Sequence, residues 1–306
     1  MILIVIIYDK CHLIRLTFCI FGYEIFKIIM KNIIVSFLII CSVSFAQEDK
    51  PNKSISQSKK GSFYAYWGWD RSVYSTSDIS FKGNNYDFTL NDVTATDRQS
   101  PFDLKLYLNP GTITIPQYNF RIGYFLNDKY EISVGVDHMK YVMRAYQPST
   151  ITGEISKYGA EYDGVYSNTP FVIKPDFLMF EHTDGLNYLN TELRRNDKLF
   201  EKGKIALNFL TGAGIGVVMP RTNCTLLGNP RYDQFNLAGF GLDALVGLNI
   251  EFYNRFFLQT EFKAGYINLP SIRTTMFKTD IAKQSFTFLQ SNIVFGFRFN
   301  TKKDKK

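Results

Sequence analysis

Three histidines stand in this 306-residue chain, His12, His138 and His182, and only the last has neighbours that invite chemistry. The stretch "FEHTDGLNYLN", Phe180–Asn190, sets His182 beside Glu181 and Asp184. An imidazole with a carboxylate is the core of a general base. A hydrolytic site also needs a nucleophile in reach, and no serine or cysteine occupies this stretch. A serine from elsewhere would have to serve, and nothing in the sequence selects one. As a metal site, one imidazole and two carboxylates leave too few ligands in view. The bland reading of Glu181, His182 and Asp184 is a polar cluster, with Asp184-Gly185 supplying a bend or bulge. The balance leans away from an enzyme; catalysis through His182, Asp184 and Glu181 is the alternative.

Other chemistry is thinly represented. Beyond residue 46 there is no phosphate loop, no HExxH and no Gly-x-Ser-x-Gly. No metal and no cofactor are expected. The cysteines are Cys11, Cys19, Cys41 and Cys224, and three of them lie in the first 46 residues. The remainder keeps one thiol, too few for a disulfide framework. Formal charge is +7, of which residues 1–46 contribute +2 (Lys10, Arg15, Lys27 and Lys31 against Asp9 and Glu24). The terminal "TKKDKK" is basic but lacks the aromatics or folded motif of a nucleic-acid reader, so no nucleic acid is expected.

What must position any site is read from the ends inward. From Met30 the chain runs "MKNIIVSFLIICSVSFAQEDK": a positive head, an apolar run, then Ser44-Phe45-Ala46. That is the anatomy of a signal peptide cleaved after Ala46. The run is too short to span a bilayer as a helix. Residues 1–46 are therefore assigned to an upstream extension plus signal, residues 47–60 to a flexible periplasmic leader, 61–300 to the folded domain and 301–306 to a basic tail.

Aromatics make up 16% of the chain, yet mean hydropathy is only −0.10. Alternating strands average apolar and polar residues in this way. Period two recurs in eight segments: Ser62–Ser72, Tyr118–Leu126, Tyr130–Met143, His182–Arg195, Lys204–Val217, Leu237–Ile250, Phe256–Tyr266 and Phe286–Phe299. Connections after the second, fourth and sixth are short. Those after the first, third, fifth and seventh are long, including loops 73–117 and 147–181. Short turns on one rim and long loops on the other predict a closed antiparallel eight-stranded transmembrane β-barrel, loops extracellular.

The two faces differ in kind. One carries Arg121, Glu131, Asp137, Glu192, Arg194, Asp243, Glu261, Lys263 and Arg298 together with many glycines. A small closed barrel can pair such charges in its lumen. The other is apolar and culminates in "SNIVFGFRFN", where Ile293, Phe295, Phe297 and Phe299 share the side expected to meet lipid. In the first long loop, "SDISFKGNNYDFTL" sets two alternating runs around Gly83-Asn84-Asn85 and predicts a projecting hairpin.

The strand–turn–strand "YNFRIGYFLNDKYEISVGVDHMKY" and the aromatic-ended last strand resemble the small outer-membrane β-barrel families typified by the OmpA transmembrane domain, OmpX and OmpW. The composition resembles a Bacteroidetes-type source. The resemblance implies the cell outer membrane, surrounding lipid, and recognition of the last strand by barrel-assembly machinery, although seven residues follow Phe299 here. It also implies the range of roles: structural, surface interaction through loops 73–117 and 147–181 with an extracellular ligand, or passage of a small hydrophobic solute. Some barrels of this size resemble the alternative, lipid A deacylases or acyltransferases. The deacylase pattern is His-x-Ser followed by Asn, and here Asp184 stands where the serine would be.

Overall fold

The computed structural model describes residues 58–109, 111–229, 231 and 233–300, with the side chain of Asn300 excepted. The upstream extension, the signal peptide, most of the leader and the basic tail lie outside the described residues. In chain order the first strands are β1 (Ser62–Tyr74), β2 (Ser77–Gly83), β3 (Tyr86–Val93), β4 (Ala95–Thr96), β5 (Tyr118–Phe125) and β6 (Tyr130–His138). Then come β7 (Tyr141–Met143), β8 (Pro148–Ile155), β9 (Gly164–Val172), β10 (Leu178–His182) and β11 (Leu186–Lys202). The last are β12 (Ile205–Pro220), β13 (Asn223–Leu226), β14 (Gly239–Phe252), β15 (Phe256–Arg273) and β16 (Ile281–Asn300).

Eight of these form a ring in the order β1-β5-β6-β11-β12-β14-β15-β16, and β1 pairs with β16 to close it. Every pairing is antiparallel, and the closing one runs from Ser62↔Asn300 to Tyr74↔Phe288. The alternation explains the closure. With charged residues on one face and apolar residues on the other, an open sheet would leave an unpaired edge in lipid. A ring satisfies every backbone group and gives each face one environment. Ile293, Phe295 and Phe299 are exposed on the outside, whereas Arg121, Glu192 and Arg194 are buried inside.

The upper rim departs from the expectation of plain loops. The predicted hairpin is present as β2 and β3, and it is stitched to the barrel because β16 runs on beyond the ring to pair with β2. β8 and β9 extend that sheet further, and β13-β10-β7-β4 form a second sheet. A hydrophobic core including Phe81, Phe88, Tyr141, Phe177, Phe180 and Ile267 is built from both sheets and the strand tops. The loops are thus a folded head.

Several boundaries shift for that reason. The third segment, read to Met143, ends at His138 and resumes as β7 in the head sheet. The seventh and eighth, read as ending at Tyr266 and starting at Phe286, continue to Arg273 and from Ile281, because they stay paired with each other above the ring and β16 also gains the head strand β2 as a partner. The fourth begins at Leu186, not His182. Gly185 sits at φ +117°, a conformation glycine adopts freely, and it separates β10 from β11.

Candidate functional site

The barrel interior holds one continuous ion-pair network. Arg121, projecting inward from β5, donates from Nη2 to Glu192 Oε1 at 2.6 Å. Arg194 donates from Nε to Glu192 Oε2 at 2.5 Å and from Nη1 to Glu261 Oε1 at 2.7 Å. Lys263 Nζ bridges Asp137 Oδ2 at 2.6 Å and Glu192 Oε1 at 2.8 Å. The Tyr66 hydroxyl accepts from Arg121 Nε at 3.1 Å and Arg194 Nη2 at 2.9 Å. Asn190 Nδ2 donates to Asp137 at 2.8 Å, and Asn119 also reaches that carboxylate. Gly214 leaves the room this requires: a Cβ there would stand 2.6 Å from both Asp243 Oδ2 and Glu192 Cγ.

Of the nine charges assigned to the lumen face, six (Arg121, Asp137, Glu192, Arg194, Glu261 and Lys263) meet in this network. The other three find separate partners. Glu131 accepts from the Tyr64 hydroxyl at 3.0 Å, and Asp243 from the Tyr188 hydroxyl at 2.7 Å. Arg298 Nη2 lies 2.6 Å from Glu251 Oε1 near the lower rim. Lys59 joins it there, 3.3 Å from Glu251 Oε2. Residues 58–60, the end of the stretch read as a flexible leader, are held by the turn: Ser58 Oγ and the Lys59 amide both donate to Asp128. The space left among Lys59, Tyr64, Glu131, Glu251 and Arg298 is about 20 Å³, enough for a water and no solute.

Sequence reasoning missed Tyr66, Tyr64, Lys59 and Glu251. The tyrosines were legible as the residues alternating with Trp67 and Trp69. Lys59 carried no signal, because a single lysine in a polar stretch looks the same whether it is free or docked.

His182 ends β10 inside the head, apart from the lumen network. It is 0% exposed, Nδ1 is 2.9 Å from the Thr222 hydroxyl, and the Tyr141 and Phe180 rings flank it. Burial alone pushes its pKa down to about 3. Glu181 turns the other way, accepting from Arg98 Nη2 at 2.8 Å and Asn223 Nδ2 at 2.9 Å. Asp184 is exposed and lies 3.4 Å from Arg221. The three residues do not converge. Cys224 is buried in the same core, which pushes its thiol up. Among the described residues, no group of three or more His, Cys, Asp or Glu side chains could hold a metal ion.

A ring of eight antiparallel strands, charged within and apolar without, defines a transmembrane β-barrel of the outer-membrane type. Among the described residues no helix is long and apolar enough to cross a membrane. No family model matches the chain, and no curated protein does. Among solved structures it aligns with the outer membrane protein OprG from Pseudomonas aeruginosa at 11% identity, covering 79% of this chain and 98% of that one, TM-score 0.37. The outer membrane protein AlkL aligns at 12% identity over 85% and 100%, TM-score 0.38. Ail, the attachment invasion locus protein of Yersinia pestis, aligns at 10% identity over 78% and 99%, TM-score 0.26. The barrel assignment rests on this chain's own strand pairings.

Proposed function

We propose that this chain is a non-conducting outer-membrane barrel whose stable wall carries a rigid extracellular head, and that its role is structural or one of surface interaction. The observation that carries this reading is the double occlusion of the barrel axis. Glu192, held by Arg121, Arg194 and Lys263, fills the lumen at mid-height. Above it the apolar core of the head covers the mouth. Moving an ion or solute through would require breaking buried charge pairs, which costs several kcal/mol for each stranded charge. The third role read from the sequence, passage of a small hydrophobic solute, meets the same obstruction.

The enzymatic alternative lacks support from geometry. His182 is buried with no carboxylate on its ring, the Thr222 hydroxyl on its Nδ1 is buried with it and out of reach of a substrate, and Asp184 and Glu181 point elsewhere. An extracellular ligand would meet the head strands β8 and β9, where loop 147–181 displays exposed residues such as Val165. Conductance in planar bilayers tests the occlusion. Full chain inserted into a bilayer should give no steady current. Reproducible open-channel steps in the unmodified protein would overturn the reading.

A further inference from the structure

Most of the barrel's outer wall is uniformly apolar, but one patch is not. Strand register places two outward rows across β1, β16, β15 and β14: Val73–Leu289–Ala264–Ala244 and, one level below, Arg71–Ser291–Phe262–Val246. Where Ala244, Ala264 and Ser291 replace larger residues, the wall sinks into an open groove of about 630 Å³, also lined by Arg71 and Gln99. Arg71 is a full charge on the lipid-facing side. Among the described residues its guanidinium makes no ion pair or hydrogen bond, although Asp97 lies within electrostatic reach. Eight residues separate it from Phe63 at the lower rim. At 3.3 Å per residue and a tilt near 40° that is about 20 Å, the upper edge of a ~25 Å apolar band.

An arginine one row inside hydrocarbon is costly unless it meets an anion, and its long stem lets the head reach the interface. The segment after Gln99 marks that interface. Phe102 (78% exposed), Leu104 (62%), Leu108 and Ile115 are displayed around one helical turn, Leu104–Leu108. Tyr107 holds the turn against Trp69, ring centroids 5.6 Å apart, and Lys140 Nζ donates to Ile115 O at 2.8 Å. Large apolar side chains displayed on a short turn beside the upper rim suit the headgroup–acyl boundary.

We propose that this groove binds one anionic, acylated lipid of the surrounding leaflet, with a hydrocarbon chain along Ala244 and Ala264 and the anionic headgroup on Arg71 and Gln99. Guanidinium pairs with phosphate through charge-assisted bonds in a fixed fork, which supplies the preference for an anion. The proposal rests on the transmembrane reading of the barrel and goes beyond the role assigned to its head.

Native mass spectrometry of the full chain, refolded in zwitterionic detergent, tests it with dimyristoyl phosphatidylglycerol, dimyristoyl phosphatidylcholine, lipid A and myristate as probes. Retention of phosphatidylglycerol should exceed that of phosphatidylcholine about tenfold, the worth of one charge-assisted contact. Arg71→Gln should bring the ratio close to one. Ala264→Phe, which fills the trough and leaves the charge, should lower retention of both lipids. Arg195→Gln, an exposed arginine paired with Asp197, should leave the preference intact. Binding of phosphatidylglycerol and lipid A without myristate assigns a phosphate site; equal binding of myristate assigns the same groove to any anionic chain. Equal retention of the two phospholipids, a preference surviving Arg71→Gln, or a lipid-independent dimer lost in Ala264→Phe would overturn the proposal. Flotation with lipid vesicles separates the two failures: a chain that does not float sinks the transmembrane reading, whereas one that floats without anion preference sinks only this site.

Discussion

The barrel and the head are built from the same strands with opposite polarity. Along β16 the inward residues Arg298, Asn292 and Gln290 give way to Phe288, Phe286 and Ala282. Its outward residues change the other way, from Phe299, Phe295, Ile293 and Leu289 to Thr287, Ser285 and Lys283. β15 makes the same exchange. Gln259, Glu261 and Lys263 are inward below, and Ile267, Leu269 and Ile272 above. The two exchanges fall at one level, because Tyr266 pairs with Thr287 and Ile267 with Phe286. One strand therefore serves two solvents: hydrocarbon outside the lower half, water outside the upper. The barrel is stabilised inside by paired charge and the head by buried apolar surface, so the two halves should fail to different insults.

The largest expected difference comes from removing a charge at the centre of the network. Glu192→Gln leaves Arg121, Arg194 and Lys263 short of their shared carboxylate. Breaking a buried network in this way costs about 3–5 kcal/mol. Urea unfolding in lipid vesicles should show that loss, while protease resistance of the head in the folded protein stays as it was. A variant as stable as the parent would mean that the lumen charges are hydrated and weakly coupled. The converse experiment is Phe177→Ala. Phe177 is fully buried among Phe88, Tyr162 and Phe171, and truncating such a ring costs about 3–4 kcal/mol. Proteolysis should then open the head while the barrel strands keep their slow amide exchange. Concerted loss of both would show that the two regions form a single cooperative unit.

Acid should separate the regions more gently. His182 has a folded pKa of about 3 against an ordinary value of 6.5, so the folded head favours the neutral ring. Its contribution is fully present above pH 6.5 and is lost as pH falls toward 3, since only the unfolded state takes up the proton. At pH 4.5 the loss is about 3 kcal/mol at most. Head proteolysis should accelerate between pH 6.5 and 4.5 in the parent and less so in His182→Gln, whose side chain cannot titrate. Equal acid sensitivity in both proteins would move the cause to other groups.

The eight barrel strands were legible because a barrel strand keeps one residue character per face, and Tyr118–Leu126 or Lys204–Val217 show this without help. The lumen charges followed from the same parity. The head was not legible, for the reason that makes it distinctive. Where β15 and β16 cross into water the inside becomes apolar and the outside polar, so the pattern reads as a strand ending and a loop beginning. β8 and β9 are nearly featureless by periodicity, since most of β9 is exposed. His182 reads as the start of the fourth and least regular segment, and only Gly185 marks the turn that takes it into the head.

The level at which the polarity exchanges can be mapped with almost no cost to stability. Outward positions on β16 tolerate small side chains, so Ser285→Cys, Thr287→Cys, Leu289→Cys and Ile293→Cys should each leave the fold unchanged. Cys224, the single described cysteine, is buried, and a thiol held protonated in apolar surroundings reacts slowly. With the full chain in lipid vesicles and Cys11, Cys19 and Cys41 replaced by serine, a membrane-impermeant maleimide should label residues 285 and 287 readily and residues 289 and 293 slowly. The step should fall between Thr287 and Leu289, about 5 Å apart along the barrel axis for two tilted residues. Labelling at 289 and 293 as fast as at 285 would place water against the Phe/Ile/Leu stripe. The lower half would then not be in hydrocarbon, and the contrast between the two regions would be one of packing alone.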